Sequence, residues 1–278
     1  MPPPLITASW LLENRTRVRL LDTRFKLGDP GFGRNAYDAG HIPGAVFVNL
    51  ETDLHGAALA DRVGGRHPMP SPENVAAVFS QLGLKNCDHI VTYDESGALG
   101  FYAPHLWWLL RYLGHDNVSV LEGGMPAWLA AGGTLETEIP APSASNFQVH
   151  PRAAMIVDAD YVLNRAMGTA LIDSRAPERF RGEVEPLDWK AGHIPGAVNK
   201  NWADGLAAGG WKCAAKQAER FADVRCASEI IVYCGSGVSA GANMLALEMA
   251  GIGDAKLYPG RWSDWISDEA RPVKTGAS

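Results

Sequence analysis

The sequence predicts an α/β protein of two tandem domains, each a mostly parallel sheet with helices on both faces. Three observations predict it. Ala39-Gly40-His41-Ile42-Pro43-Gly44-Ala45-Val46 returns unchanged as Ala191-Gly192-His193-Ile194-Pro195-Gly196-Ala197-Val198. On either side of each copy lie matching apolar runs. Leu20-Leu21-Asp22-Thr23-Arg24 answers Leu171-Ile172-Asp173-Ser174-Arg175, and Ile90-Val91-Thr92-Tyr93-Asp94 answers Ile230-Ile231-Val232-Tyr233-Cys234. Near each end, Gly123-Gly124-Met125-Pro126-Ala127-Trp128 parallels Gly260-Arg261-Trp262-Ser263-Asp264-Trp265. Landmarks in one order, within units of about 140 residues, mark a duplicated domain rather than a short-period solenoid.

In the first copy, residues 18–23 and 89–93 read as buried strands. Ser71-Pro72 supplies an N-cap and a first-turn proline for a helix that Gly83 closes. Residues 101–113 form an apolar helix pattern in which Trp107 and Trp108 are core, and Gly123-Gly124 is a tight turn before a helix. The second copy repeats the plan with strands at 169–173 and 230–233 and a helix over about 238–249. Between them, Ile139-Pro140-Ala141-Pro142-Ser143-Ala144-Ser145 is proline-rich and without apolar periodicity. The expected division is therefore a first domain over 1–138, a linker over 139–150 and a second domain over 151–278.

Of the 278 residues, 46% are hydrophobic and 20% charged, which excludes a disordered or collagen-like chain. Twenty-five basic against 31 acidic residues give a net charge of −6, so an anion site must be built locally, and no general attraction to nucleic acid or membrane follows. Met1-Pro2-Pro3-Pro4 has no basic or apolar leader pattern, and 101–113, interrupted by His105 and Arg111, is too short to span a bilayer. Cys87, Cys213, Cys226 and Cys234 form neither a Cys-x-x-Cys pair nor a disulfide framework. A cytoplasmic protein with reduced thiols is expected.

The copies differ where chemistry would sit. After the strand ending at Tyr93 comes Asp94; after Tyr233 comes Cys234, followed by Gly235-Ser236-Gly237-Val238-Ser239-Ala240 and a helix pattern. Small residues between a strand end and a helix start can turn backbone N–H groups inward as an anion nest, and a thiol at its base is favoured as the nucleophilic thiolate. Cys87 and Cys226 read as buried structural cysteines. His41 and His193, identical in both copies although one copy alone has the cysteine, read as fold residues.

On the twin Gly-His-Ile-Pro-Gly-Ala segments, Asp173-Ser174-Arg175 and Cys234-Gly235-Ser236-Gly237-Val238-Ser239-Ala240, the chain resembles the two-domain rhodanese-like sulfurtransferases from about residue 5 to residue 265. Its loop is similar to that of 3-mercaptopyruvate sulfurtransferases; thiosulfate sulfurtransferases typically carry Arg and Lys at Gly235 and Ser236. The resemblance implies two tandem rhodanese-like domains, the first inactive, and a ping-pong transfer. Cys234 takes sulfur from 3-mercaptopyruvate or thiosulfate as a persulfide and passes it to cyanide, a thiol or a thioredoxin-like dithiol. No metal or other cofactor is implied. Substrate contacts fall to the loop (Gly235, Gly237, Val238, Ser239) and to Arg179, whose guanidinium suits a carboxylate or sulfonate. Arg175 is expected to pair with a carboxylate near the strand end. A proton relay is implied for Ser236, His67 and Glu51, the last standing where the family has aspartate. The family's second anion-binding arginine is replaced by Leu187, which makes Lys190 a candidate stand-in.

Two other classes compete. Cys-x5-Arg phosphatases need an arginine where this chain has Ala240. A persulfide carrier without turnover is the other; the second copy retains too much of the loop for that role, and turnover with either donor above a Cys234→Ser control separates the two.

Overall fold

The strands that carry the repeats are buried almost end to end, as a parallel sheet covered on both faces requires. The structure, a computed structural model, describes residues 1–95, 102–235 and 239–277. The described chain divides into two compact units, Met1–His55 with Pro70–Arg152 and Ala207–Trp211, and Gly56–Met69 with Ala153–Leu206 and Lys212–Ser278.

The first unit contains β1 (Leu5–Ile6), α1 (Ala8–Asn14), β2 (Arg19–Asp22), α2 (Phe32–Ala39), β3 (Val46–Phe47), α3 (Leu50–Asp53), α4 (Pro72–Gln81), β4 (Ile90–Tyr93), α5 (Ala103–Tyr112), β5 (Val118–Leu121) and α6 (Gly124–Ala130). Its strands run parallel in the order β1-β5-β4-β2-β3. The Ser71 side chain caps α4 by accepting from Asn74 N, Pro72 opens the helix, and Gly83 follows its end at φ 71°. Trp107 and Trp108 of α5 are buried.

The remaining elements are α7 (Ala159–Leu163), β6 (Thr169–Asp173), α8 (Pro177–Phe180), β7 (Ala197–Asn199), β8 (Leu206–Ala207), β9 (Gly210–Trp211), α9 (Ala214–Arg220), β10 (Glu229–Tyr233), α10 (Ser239–Met249), β11 (Lys256–Leu257) and α11 (Arg261–Trp265), all in the second unit except Ala207 of β8 and β9, which group with the first. The main sheet of the second unit is parallel in the order β11-β10-β6-β7, and Ile156 bridges Leu257 where the first unit has β1.

One buried frame recurs in both units and explains the repeated motif. Arg175 donates to Asp173 and, at 2.6 Å, to Gly192 O; Arg24 donates to Asp22 and, at 2.8 Å, to Gly40 O. His193 Nδ1 donates to Phe180 O and stacks on that ring at 3.8 Å, as His41 does with Tyr37 at 3.9 Å. Burial lowers the His193 pKa and favours its neutral form. The Tyr233 and Tyr93 hydroxyls accept from Ile194 N and Ile42 N. Both histidines thus perform the same structural task.

Three sequence expectations change. The stretch expected as a linker is a strap on the first unit. Ser145 N and Phe147 N donate to Ser80, Phe147 is buried, and a Cβ on Gly83 would stand 2.7 Å from Pro142. The boundary therefore falls between Arg152 and Ala153, because an extended strap satisfies its backbone without apolar periodicity. Gly56–Met69, expected within the first domain, groups with the second unit. Cys87 and Cys226 are exposed, not buried; each lies in a surface turn leading into a strand.

Candidate active site

β10 leaves the sheet at Tyr233, and the next side chain, Cys234, is wholly buried. Of the four cysteines it alone is buried. It lies at the carboxyl end of a central parallel strand, the end at which open α/β sheets hold ligands. Two backbone bonds fix the strand exit: Trp262 N donates to Cys234 O at 2.9 Å and Ser263 N to Gly235 O at 3.4 Å. The sister copy uses the same place differently. Asp94 Oδ2 accepts from Tyr102 N and Ala103 N, at 2.8 and 2.9 Å, at the start of α5. A carboxylate there occupies the helix amides itself.

Arg179, in the last turn of α8, lies against the cysteine loop: a Cβ on Gly235 would stand 3.1 Å from both of its terminal nitrogens. A side chain at this position would press on the guanidinium, and glycine leaves it room. Arg179 Nη2 pairs with Glu185 at 2.6 Å and lies 3.6 Å from Asp188. Arg175 pairs with Asp173 and Glu185, and Arg66 with Asp188. Burial raises the Asp188 pKa while the Arg66 charge opposes that. Leu187 is 42% exposed, its carbonyl accepting from Arg66 and its N–H donating to Glu185. Lys190 offers its carbonyl to Trp262 Nε1, and its Nζ sits over the Trp189 ring, 5.7 Å from the centroid.

His67 is on the segment grouped with the second unit. Gly64 N donates to Asp264 Oδ1 at 2.7 Å and Arg66 N to Ser263 Oγ at 3.1 Å, so this segment is bound to α11. The His67 carbonyl accepts from Arg261 Nη1. Glu51 is exposed on α3 of the first unit, its N–H donating to Asn49 Oδ1. Ser239 opens α10. Ser236, Gly237 and Val238 lie outside the described residues.

Sequence reasoning missed Arg261. It is wholly buried, and burial pushes its guanidinium down to about 10, while the neighbouring Cys234 raises it and Arg66 lowers it. The available signal was the repeat itself, in which Arg261 stands at Gly124 of the other copy. It missed Asp188 and Arg66 because their pairing joins residues far apart in the chain. The assembled groups give a buried thiol, a guanidinium against its loop and a second buried guanidinium beside the residue that bonds the Cys234 carbonyl, an arrangement suited to a nucleophile working on anionic donors.

The rhodanese-like domain matches residues 7–131 and again 158–268. The chain belongs to the rhodanese-like family. This rhodanese-like chain is 42% identical over 281 residues to a probable 3-mercaptopyruvate sulfurtransferase of Pseudomonas aeruginosa, covering 98% of each chain. It is 40% identical over 291 residues to a putative thiosulfate sulfurtransferase of Mycobacterium tuberculosis, covering 99% of this chain and 98% of that one. The crystal structure of the 3-mercaptopyruvate enzyme SseA of Escherichia coli superposes with a TM-score of 0.81 at 32% identity, over 94% of this chain and 100% of the other. Both copies of the rhodanese-like fold expected from the repeats are present. No helix among the described residues is long and apolar enough to cross a membrane.

Proposed function

We propose that the chain is a sulfurtransferase that carries sulfur on Cys234 and takes it preferentially from 3-mercaptopyruvate. The observation that carries this reading is the buried Cys234 at the exit of β10, with the Arg179 guanidinium against the neighbouring Gly235. The thiolate attacks the donor sulfur and an S–S bond forms. The C–S bond of mercaptopyruvate breaks, its electron pair passing to carbon as the enolate of pyruvate. The proton of the donor thiol ends on that carbon, leaving pyruvate and the Cys234 persulfide anion. An acceptor (cyanide, a small thiol or a thioredoxin-like dithiol) attacks the outer sulfur and returns the Cys234 thiolate.

The donor carboxylate is assigned to Arg179, and the proton relay to His67 with Ser236. The fixing of the His67 segment to α11 supports its part. The uncharged Gly235 favours the monoanionic mercaptopyruvate over the thiosulfate dianion. A side-by-side kcat/KM measurement tests this: mercaptopyruvate should be the better donor, and a higher value for thiosulfate would overturn the preference.

Two variants test the residues. Arg179→Ala should raise the mercaptopyruvate KM about tenfold or more, the worth of one charge-assisted hydrogen bond at roughly 1.5–3 kcal/mol. An unchanged KM would remove Arg179 from the site. His67→Ala should slow mercaptopyruvate turnover by ~10²–10⁴-fold and thiosulfate turnover much less, since sulfite leaves without a proton. Equal losses with the two donors would make His67 structural.

A further inference from the structure

Arg261 occupies a position that the fold itself does not require to be arginine. Its φ is 68°, and Arg62 is the only other non-glycine residue with positive φ among the described residues. The corresponding residue of the first copy is Gly124, at φ 54°, which opens α6 as Arg261 opens α11. A side chain in this conformation is disfavoured relative to ordinary backbone geometry, and burying a guanidinium adds desolvation to that cost. Strain of this kind persists where surrounding contacts over-determine it, commonly at functional sites.

Those contacts lie at the sulfur site. The residue after Arg261 donates its N–H to Cys234 O at 2.9 Å, and the guanidinium donates to the carbonyl of His67. Nearby, Arg66, Arg175 and Arg179 are paired with Asp173, Glu185 and Asp188. Arg261 adds a further positive charge, which Cys234 favours and Arg66 opposes.

We propose that Arg261 is the fixed cation of the sulfur site, balancing first the Cys234 thiolate and then the persulfide anion. This rests on the reading of Cys234 as the sulfur carrier. One negative charge remains on the wholly buried sulfur before and after donor attack, so a permanent counter-charge serves both states. With thiosulfate, the Cys234 sulfur forms an S–S bond to the sulfane sulfur, the original S–S bond breaks, and its pair leaves on sulfite. That path gathers three negative charges, against two for mercaptopyruvate. Arg261 therefore governs how well the dianion is accepted by a loop with no lysine or arginine of its own.

Arg261→Gly tests this with the residue that the sister copy uses at the same backbone conformation, so charge is removed and strain relieved together. Alkylation of Cys234 at neutral pH should slow about tenfold. The kcat/KM should fall about 100-fold for thiosulfate and about tenfold for mercaptopyruvate, on the scale of one or two charge-assisted contacts. Added guanidinium ion should restore part of the loss, and Arg261→Lys should keep both activities within about tenfold of the parent. If Arg261→Gly does not fold, Arg261→Met against Arg261→Lys makes the same comparison at similar length. A glycine or methionine variant with both donors within twofold of the parent overturns the proposal. So does a loss equal for both donors that neither lysine nor guanidinium relieves, because a merely structural role would leave the donor ratio alone. The parent enzyme is loaded with donor beside the variants: failure to place sulfur on Cys234 there defeats the carrier reading itself, independently of Arg261.

Discussion

Cys234→Ser should reduce sulfur transfer from either donor to background, a loss of at least about 10³-fold, because a serine hydroxyl at neutral pH is neither ionised nor a comparable sulfur nucleophile. The parent protein, incubated with donor and no acceptor, should gain ~32 Da, one sulfur atom on the nucleophile. Peptide mapping should find that sulfur on Cys234, and the serine variant should gain none. The exposure of Cys87, Cys213 and Cys226 makes the control demanding, since all three are open to reagents. A chain with serine at those three positions should still accept one sulfur and turn over. Sulfur found on any of the three, with Cys234 unmodified, would sink the assignment. The backbone of the serine variant should be undisturbed, because Trp262 bonds the carbonyl of residue 234 and not its side chain.

Arg175→Ala should cost about 3–5 kcal/mol of stability, the usual consequence of removing one partner from a buried ion pair. Arg175 and Asp173 are both almost wholly inaccessible, and the guanidinium also bonds Gly192 O and Glu185 and stacks over Trp262 at 4.7 Å. Burial lowers the Arg175 pKa, but the Asp173 charge and hydrogen bond outweigh it, so the guanidinium stays protonated at any accessible pH. Its loss strands the Asp173 carboxylate in the core. Urea unfolding measures the effect, and a change below about 1 kcal/mol would show that the pair is dispensable. Arg24→Ala, which breaks the matching pair with Asp22, should be similarly damaging to the first unit. The two results together would show that the duplicated frame supports folding whether or not a cysteine follows the central strand.

Much of this was legible because its causes are local or repeated. Strand β6 was read at its observed bounds, and the pairing of Arg175 with a carboxylate followed from two residues on one strand exit. Cys234 stood out through contrast with Asp94, and the structure supplies the physical sense of that contrast, since Asp94 holds amides at the start of α5. Burial of individual cysteines was not legible. Cys87 and Cys226 were expected to be buried structural cysteines, yet both lie in surface turns.

By itself, then, the sequence determined the duplication, the parallel α/β plan, the cysteine after the central strand of the second copy and the arginine of α8. The first three follow from periodicity or from comparing one half of the chain with the other, and the arginine of α8 from the resemblance to the rhodanese-like sulfurtransferases. Only the tertiary structure decided that Gly56–Met69 belongs with the second unit, that Arg66 and Arg179 share Asp188, and that Arg261 is buried with its guanidinium on the His67 carbonyl. The physical reason is that these are pairings of charge and hydrogen bonds between residues far apart in the chain. They leave no period in the sequence, and they form only when packing removes water from both partners at once.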